Sequence, residues 1–167
     1  MRSLALSLLI SVLSFAPNTL AQSGPSLHAE ILEYGIFEVL GDRIDEETAT
    51  AAAGRVSAHE SSRHLETTTN LRAHRGVTFG YRYRVLGLSD GEHEGFEMRA
   101  VHPPMTGPSG RPSTISQAPT YPYSENGVAS SELFYSLSKD FEVLPGEWRL
   151  EILFRGRVIL SKSFTLT

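Results

Sequence analysis

"VTFGYRYRVLGL", residues 77–88, decides the fold class. Val77, Phe79, Tyr81, Tyr83 and Val85 fall on one face, with Thr78, Gly80, Arg82 and Arg84 on the other. A two-residue alternation of this length belongs to a strand with one face in a core and the other in water. The pattern returns in "EWRLEILF", residues 147–154, where Trp148, Leu150, Ile152 and Phe154 point inward and Arg149, Glu151 and the following Arg155 outward. "HAEILEYGIFEV", residues 28–39, reads as a strand with Gly35 as a candidate bulge. "FEMRAV", residues 96–101, follows the turn residues "SDGEHEG" and predicts a hairpin over about 77–101. "SELFYSLSKDFEV" resumes an extended pattern, and "LPG" makes a turn with glycine at positive φ. "RGR" turns the chain once more into "VILSKSFTLT", a closing strand.

Two stretches are less regular. In residues 41–70, Asp45 and the following alanines could start a helix. Gly54 and the many serines and threonines argue instead for a loop and then a polar edge strand over about 55–68. Residues 103–122 hold six of the nine prolines, which argues against both a helix and a central strand and predicts a long, semi-rigid excursion. Pro103 and Pro104 would then end the strand before them. Short strands separated by glycine and proline turns give an all-β fold, a single immunoglobulin-like antiparallel β-sandwich. Its expected core is Phe79, Tyr81, Tyr83, Val85, Phe96, Met98, Trp148, Leu150, Ile152, Phe154 and Phe164. The outward arginines would pair with Glu97 and Glu151 where register allows.

The N-terminus speaks to compartment. Arg2 precedes the apolar run "LALSLLISVLSFA", and Thr19 and Ala21 are small residues where a signal peptidase reads. Residues 1–21 are therefore expected to be a cleaved signal peptide, with 22–27 a short leader and 28–167 the β-sandwich domain. The run is shorter than the ~20 apolar residues of a membrane span, so a soluble periplasmic or secreted product is expected. The chain has no cysteine, which removes disulfides, thiolate metal sites, a catalytic thiol and a lipidated N-terminal cysteine. Its formal charge of −4 argues against non-specific nucleic-acid binding, which needs a basic face.

"TFGYRYRVLG", "RAVHPPMTGPSGR" and "FEVLPGEWRLEILFRGRVILSKSFTL", in that order, resemble the bacterial family catalogued as domain of unknown function 3859. The resemblance spans about residues 28–167, and its most specific pieces are the His-Pro-Pro segment and the "LPGEW" strand pair. It implies one compact domain. The family carries no assigned activity, cofactor or catalytic residue, so no function comes with it.

Motif chemistry points away from the common enzyme classes. "HESSRH", residues 59–64, spaces its histidines by five, whereas a zinc-protease helix needs four. On a strand that odd spacing puts the two rings on opposite faces. "EHE", residues 92–94, reads as solvated turn chemistry, as does Asp90-Gly91. Ser109 in "GPSG" lacks the nucleophile elbow, and no phosphate loop or dinucleotide fingerprint is present. Glu46 and Glu47 fit a solvated face. No cofactor and no metal site are expected.

One cluster is left: Arg99, His102, Pro103, Pro104, Tyr121 and Tyr123. A stiff loop bearing tyrosines and an arginine could grip a peptide, a glycan or a protein at one end of the sandwich. The plainer alternative is that His102 bonds main chain and the tyrosines pack inward. The leading expectation is an exported, non-catalytic module that binds an envelope protein or a surface polymer. A small hydrolase with a dispersed site near His102 is the alternative, and a structural envelope protein assembling by strand addition is the third.

Overall fold

The computed structural model describes residues 27–167, apart from the side chains of 42–46 and 56–58. The expected signal peptide, and all but the last residue of the leader, lie outside the described residues. Eleven strands follow in chain order: β1 (His28–Glu47), β2 (Arg55–Glu66), β3 (Asn70–Leu71), β4 (Thr78–Leu86), β5 (Gly91–Glu92), β6 (Phe96–Thr106), β7 (Pro112–Thr120), β8 (Tyr123–Ser124), β9 (Val128–Ser136), β10 (Gly146–Phe154) and β11 (Arg157–Leu166). A 3-10 turn, Asp140–Glu142, joins β9 to β10. One sheet has the order β2-β1-β4-β9 and the other β3-β11-β10-β6-β7, with β5 and β8 as a small separate pair. Among the described residues, only the two-residue contact of β3 with β11 is parallel. No helix among the described residues is long and apolar enough to cross a membrane.

The two alternating strands seen in the sequence, β4 and β10, lie inside different sheets and face each other. Phe79 of β4 meets Trp148 edge-on at 5.8 Å and Phe164 of β11 at 5.2 Å. The Tyr81 hydroxyl crosses the same gap and donates to the Leu150 carbonyl at 3.3 Å. Nine of the eleven expected core residues are buried; Met98 and Phe154 are half-buried and pack against the rest.

The expected 77–101 hairpin is corrected: β4 pairs with β1 and β9, whereas β6 pairs with β10 and β7. "SDGEHEG" is therefore a crossover from one sheet to the other, and local turn chemistry cannot tell the two apart. The proline-rich excursion is corrected as well. β6 runs on through Pro103 and Pro104 to Thr106, and 112–120 form the edge strand β7. The prolines sit where a missing donor costs little. Pro103 and Pro104 fall in the register shift between Val101 and Met105, and Pro112 and Pro119 lie on the sheet edge. Residues 131–143 stay extended only to Ser136 before the 3-10 turn.

β1 runs eight residues past the expected end at Val39, and its far half pairs with β2 rather than β4. The β1–β2 hairpin reaches across to β7. Thr50 takes the Gln117 N–H on its carbonyl at 3.1 Å and donates its hydroxyl to the Gln117 carbonyl at 2.7 Å. Clipping an edge strand in this way blocks pairing with other chains.

Gly35 is not the bulge: the nearest register shifts fall between Ile31 and Glu33 and between Ile36 and Phe37. It faces Gly80 directly, at φ +136°, and a Cβ there would stand 1.8 Å from the Glu66 carbonyl oxygen. At Gly80 a Cβ would meet the Leu133 carbonyl oxygen at 2.0 Å and the Phe134 ring at 2.8 Å. Bare backbone here lets Phe134 lie over β4 and reach Phe37 at 4.3 Å. Gly80→Ala should therefore destabilise the fold by about 2 kcal/mol or more, because neither backbone nor ring can yield cheaply. Urea unfolding, with the midpoint compared at an unchanged slope, measures this.

Candidate functional site

The open side of the sandwich, between the edges β7 and β9, holds a cleft of about 340 Å³ roofed by the tip of the β1–β2 hairpin. Its walls are largely apolar, with Ala51, Ala53, Ala100, Ala118 and Leu133 among them, and its polar groups include Ser116, Tyr135 and Glu142 together with Arg55, His59, Arg99 and Glu132. Ser116 comes from β7 and faces inward opposite Ala100, so the pleat of that edge strand aims its hydroxyl into the interior.

His102 stands directly behind Ser116. Its ring is 4% exposed, lies 5.1 Å from Trp148 and 6.4 Å from Tyr135, and has a polar partner on each nitrogen. Nδ1 is 2.9 Å from the Pro103 carbonyl oxygen, and Nε2 is 3.1 Å from Ser116 Oγ. A carbonyl can only accept, so Nδ1 carries the hydrogen. In the neutral ring Nε2 is then an acceptor, and the Ser116 hydroxyl donates to it. Ser116 Oγ in turn accepts the Ala52 N–H at 2.9 Å, which ties the hairpin tip to the same group. Burial holds the His102 pKa below the ordinary imidazole range, against the opposing bond to Pro103. Burial also raises the Tyr135 pKa, with the Glu142 carboxylate adding to the rise, so that hydroxyl keeps its proton.

The structure does not bring the six expected site residues together. Arg99 donates to the buried Glu151 at 2.6 Å through Nε, and Arg149 takes the other oxygen of that carboxylate at 2.7 Å. His102 points into the core, and Pro103 and Pro104 occupy the irregular stretch beyond it. Tyr121 and Tyr123 lie past the other end of β7, 55% and 68% exposed. Tyr123 sits directly opposite Glu92, and Tyr121 lines a shallow groove with Glu94, Glu97 and Gln117. Glu92, Glu94, Glu97 and Glu125 have no ion-pair partner among the described residues. Glu97 thus lacks the arginine expected of it, whereas Arg82 and Arg84 pair with Glu33 and Glu30 of β1.

The two histidines of "HESSRH" are linked through the rings of Phe37 and Phe134. His64 is 4.9 Å from Phe37, Phe37 is 4.3 Å from Phe134, and Phe134 stacks on His59 at 5.7 Å. The pairing of β1 with β2 is irregular between Leu40 and Arg43, so the simple two-face count fails between these rings. His59 Nε2 meets Glu132 at 2.5 Å, and His64 Nε2 donates to the Tyr34 carbonyl at 3.1 Å. Ser116, Tyr135 and Glu142 were missed in the sequence. Ser116 lies in the segment read as an excursion, and nothing local marks a serine that only a neighbouring strand brings to a histidine.

His102 gives a pH signature. With its folded pKa below the ~6.5 of an unfolded histidine, the unfolded chain binds the extra proton first. Stability is complete above that value and falls as pH drops toward the folded pKa. Thermal unfolding between pH 7.5 and 5 should show this loss. His102→Gln should lower stability at pH 7.5 but flatten the slope, because glutamine takes up no proton.

Comparisons with known proteins agree with the architecture. An immunoglobulin-like protein from Pseudomonas aeruginosa, known from a crystal structure, superposes with a TM-score of 0.60 at 21% identity, covering 87% of this chain and 99% of that one. At that identity the likeness concerns the fold alone. The alkylpurine DNA glycosylase AlkC of Pseudomonas fluorescens reaches a TM-score of only 0.39 at 8% identity, covering 59% of this chain and 27% of that one, and carries no argument. No curated protein matches the chain. The family described as Domain of unknown function (DUF3859) matches residues 26–166, almost the whole described chain, and the chain belongs to that family.

Proposed function

We propose that this chain is an exported recognition module that meets its partner through the sandwich end bearing Tyr121 and Tyr123. The observation that carries the reading is the exposure of both rings beside four carboxylates without ion-pair partners among the described residues. Exposed tyrosines offer large contact area at little entropic cost, and free carboxylates beside them select a cationic surface. The partner is therefore an envelope protein presenting lysine or arginine, in preference to a neutral surface polymer. Export rests on the apolar run 4–16 and the small residues Thr19 and Ala21, which support a location in the periplasm or outside the cell. Arg99 and His102 are spent on internal partners, which moves recognition away from them and toward the tyrosines.

Affinity capture from the native envelope tests this, comparing wild type with Tyr121→Ala/Tyr123→Ala. Both residues are exposed, so the variant should keep the wild-type melting curve and lose about tenfold or more in capture. Captured material should elute as salt rises, since the carboxylates act across solvent. Equal capture by the two proteins would remove this end from recognition.

A further inference from the structure

We propose that Ser116 is a reactive serine that His102 activates, and that the cleft it lines takes a small, uncharged carboxylic ester with a short apolar acyl group. This goes beyond recognition at the tyrosine end and uses none of its residues. Ser116 and Tyr121 are five residues apart along β7 and its exit, roughly 17 Å at a strand's rise of ~3.3 Å per residue.

Geometry supplies the parts that acyl transfer needs. The nucleophile is 8% exposed, lines the cleft, and has its hydroxyl proton directed at His102 Nε2 3.1 Å away. The base is held in the correct tautomer by the Pro103 carbonyl, which stands where a carboxylate serves in a serine-histidine-aspartate triad. The Ala52 N–H on Ser116 Oγ steadies negative charge on that oxygen. Tyr135 lines the same cleft with its hydroxyl protonated; that hydroxyl rests 3.9 Å from Met105 Sδ and must turn from this weak acceptor to donate to the oxyanion. A volume of about 340 Å³ is at the small end of ligand pockets, and its alanine-rich wall suits a short acyl chain. Of the charged groups that also line it, Arg99 is paired with Glu151, Glu132 with Arg82 and Glu142 with the Ser138 and Lys139 N–H groups, which favours an uncharged ligand.

The chemistry balances with water as the only co-reactant. Ser116 Oγ forms a bond to the ester carbonyl carbon while its proton moves to His102 Nε2. The tetrahedral adduct then breaks its bond to the alkoxy group, which leaves as the alcohol with the proton from Nε2. Water next gives a proton to Nε2 as its oxygen bonds the acyl carbon, and Ser116 departs, regaining that proton. Ester and water become acid and alcohol. In the interval the imidazolium donates through Nδ1 to Pro103.

The test uses the intact mature protein with two probes, a fluorophosphonate and 4-methylumbelliferyl acetate. One fluorophosphonate should add per molecule, and peptide mass spectrometry should place it on Ser116. Ester hydrolysis should fall about 100-fold or more, to the background of free imidazole, in Ser116→Ala and in His102→Gln. Where either variant melts below the assay temperature, labelling of wild type decides, since it needs no substitution. Ser116→Cys, close to the same shape, should instead alkylate with iodoacetamide faster than the same variant carrying His102→Gln. Absence of fluorophosphonate on Ser116 overturns the proposal, as does ester hydrolysis that survives in folded Ser116→Ala. Neither result bears on capture by the tyrosine end.

Discussion

Phe79 set edge-on between Trp148 and Phe164 is the contact on which the rest of the structure depends. It joins the centre of one sheet to the centre of the other, and every ring in it is fully buried. With no cysteine to staple the sheets, this apolar and aromatic interior must hold them together by itself. Truncating a ring of this size in a core costs about 3–5 kcal/mol, a large share of the stability a domain of this length has. His102 rests against the same Trp148, so the geometry of the serine-histidine pair follows from the core.

The open side of the sandwich shows how the fold handles what the core cannot. β7 is an edge strand, and it is guarded by two prolines and by the hairpin tip that clips Gln117. The same tip gives the Ala52 N–H to Ser116 and roofs the cleft. One long excursion of β1 and β2 thereby protects an edge and shapes a cavity. Away from the tip, Gly35 and Gly80 let backbone and the Phe134 ring approach where a Cβ would collide.

Sequence reasoning went wrong where short-range signals were asked long-range questions. The turn at 89–95 looks the same whether its strands pair or part, and here they part into opposite sheets. Prolines at 103–122 were read as excluding a central strand and leaving an excursion, yet an edge and a bulge both tolerate a residue without a donor. One usable signal was passed over: Asn126-Gly127, both at positive φ, turn the chain between Glu125 and Val128 with two main-chain bonds. That dipeptide marks the start of β9, which the reading began three residues late.

The sequence by itself determined the all-β class, most of the buried core and the family. Strand periodicity and side-chain burial are properties of neighbouring residues, and these are written along the chain. It also carried the apolar N-terminal run and the absence of thiol chemistry. Tertiary structure alone decided which strands share a sheet, because pairing depends on partners up to a hundred residues apart. It alone put Ser116 against His102, Arg99 on Glu151, and Tyr121 and Tyr123 into solvent beside carboxylates without ion-pair partners among the described residues. A hydroxyl becomes a nucleophile, or a ring a contact surface, through what stands within a few ångströms of it, and local sequence holds no record of that distance.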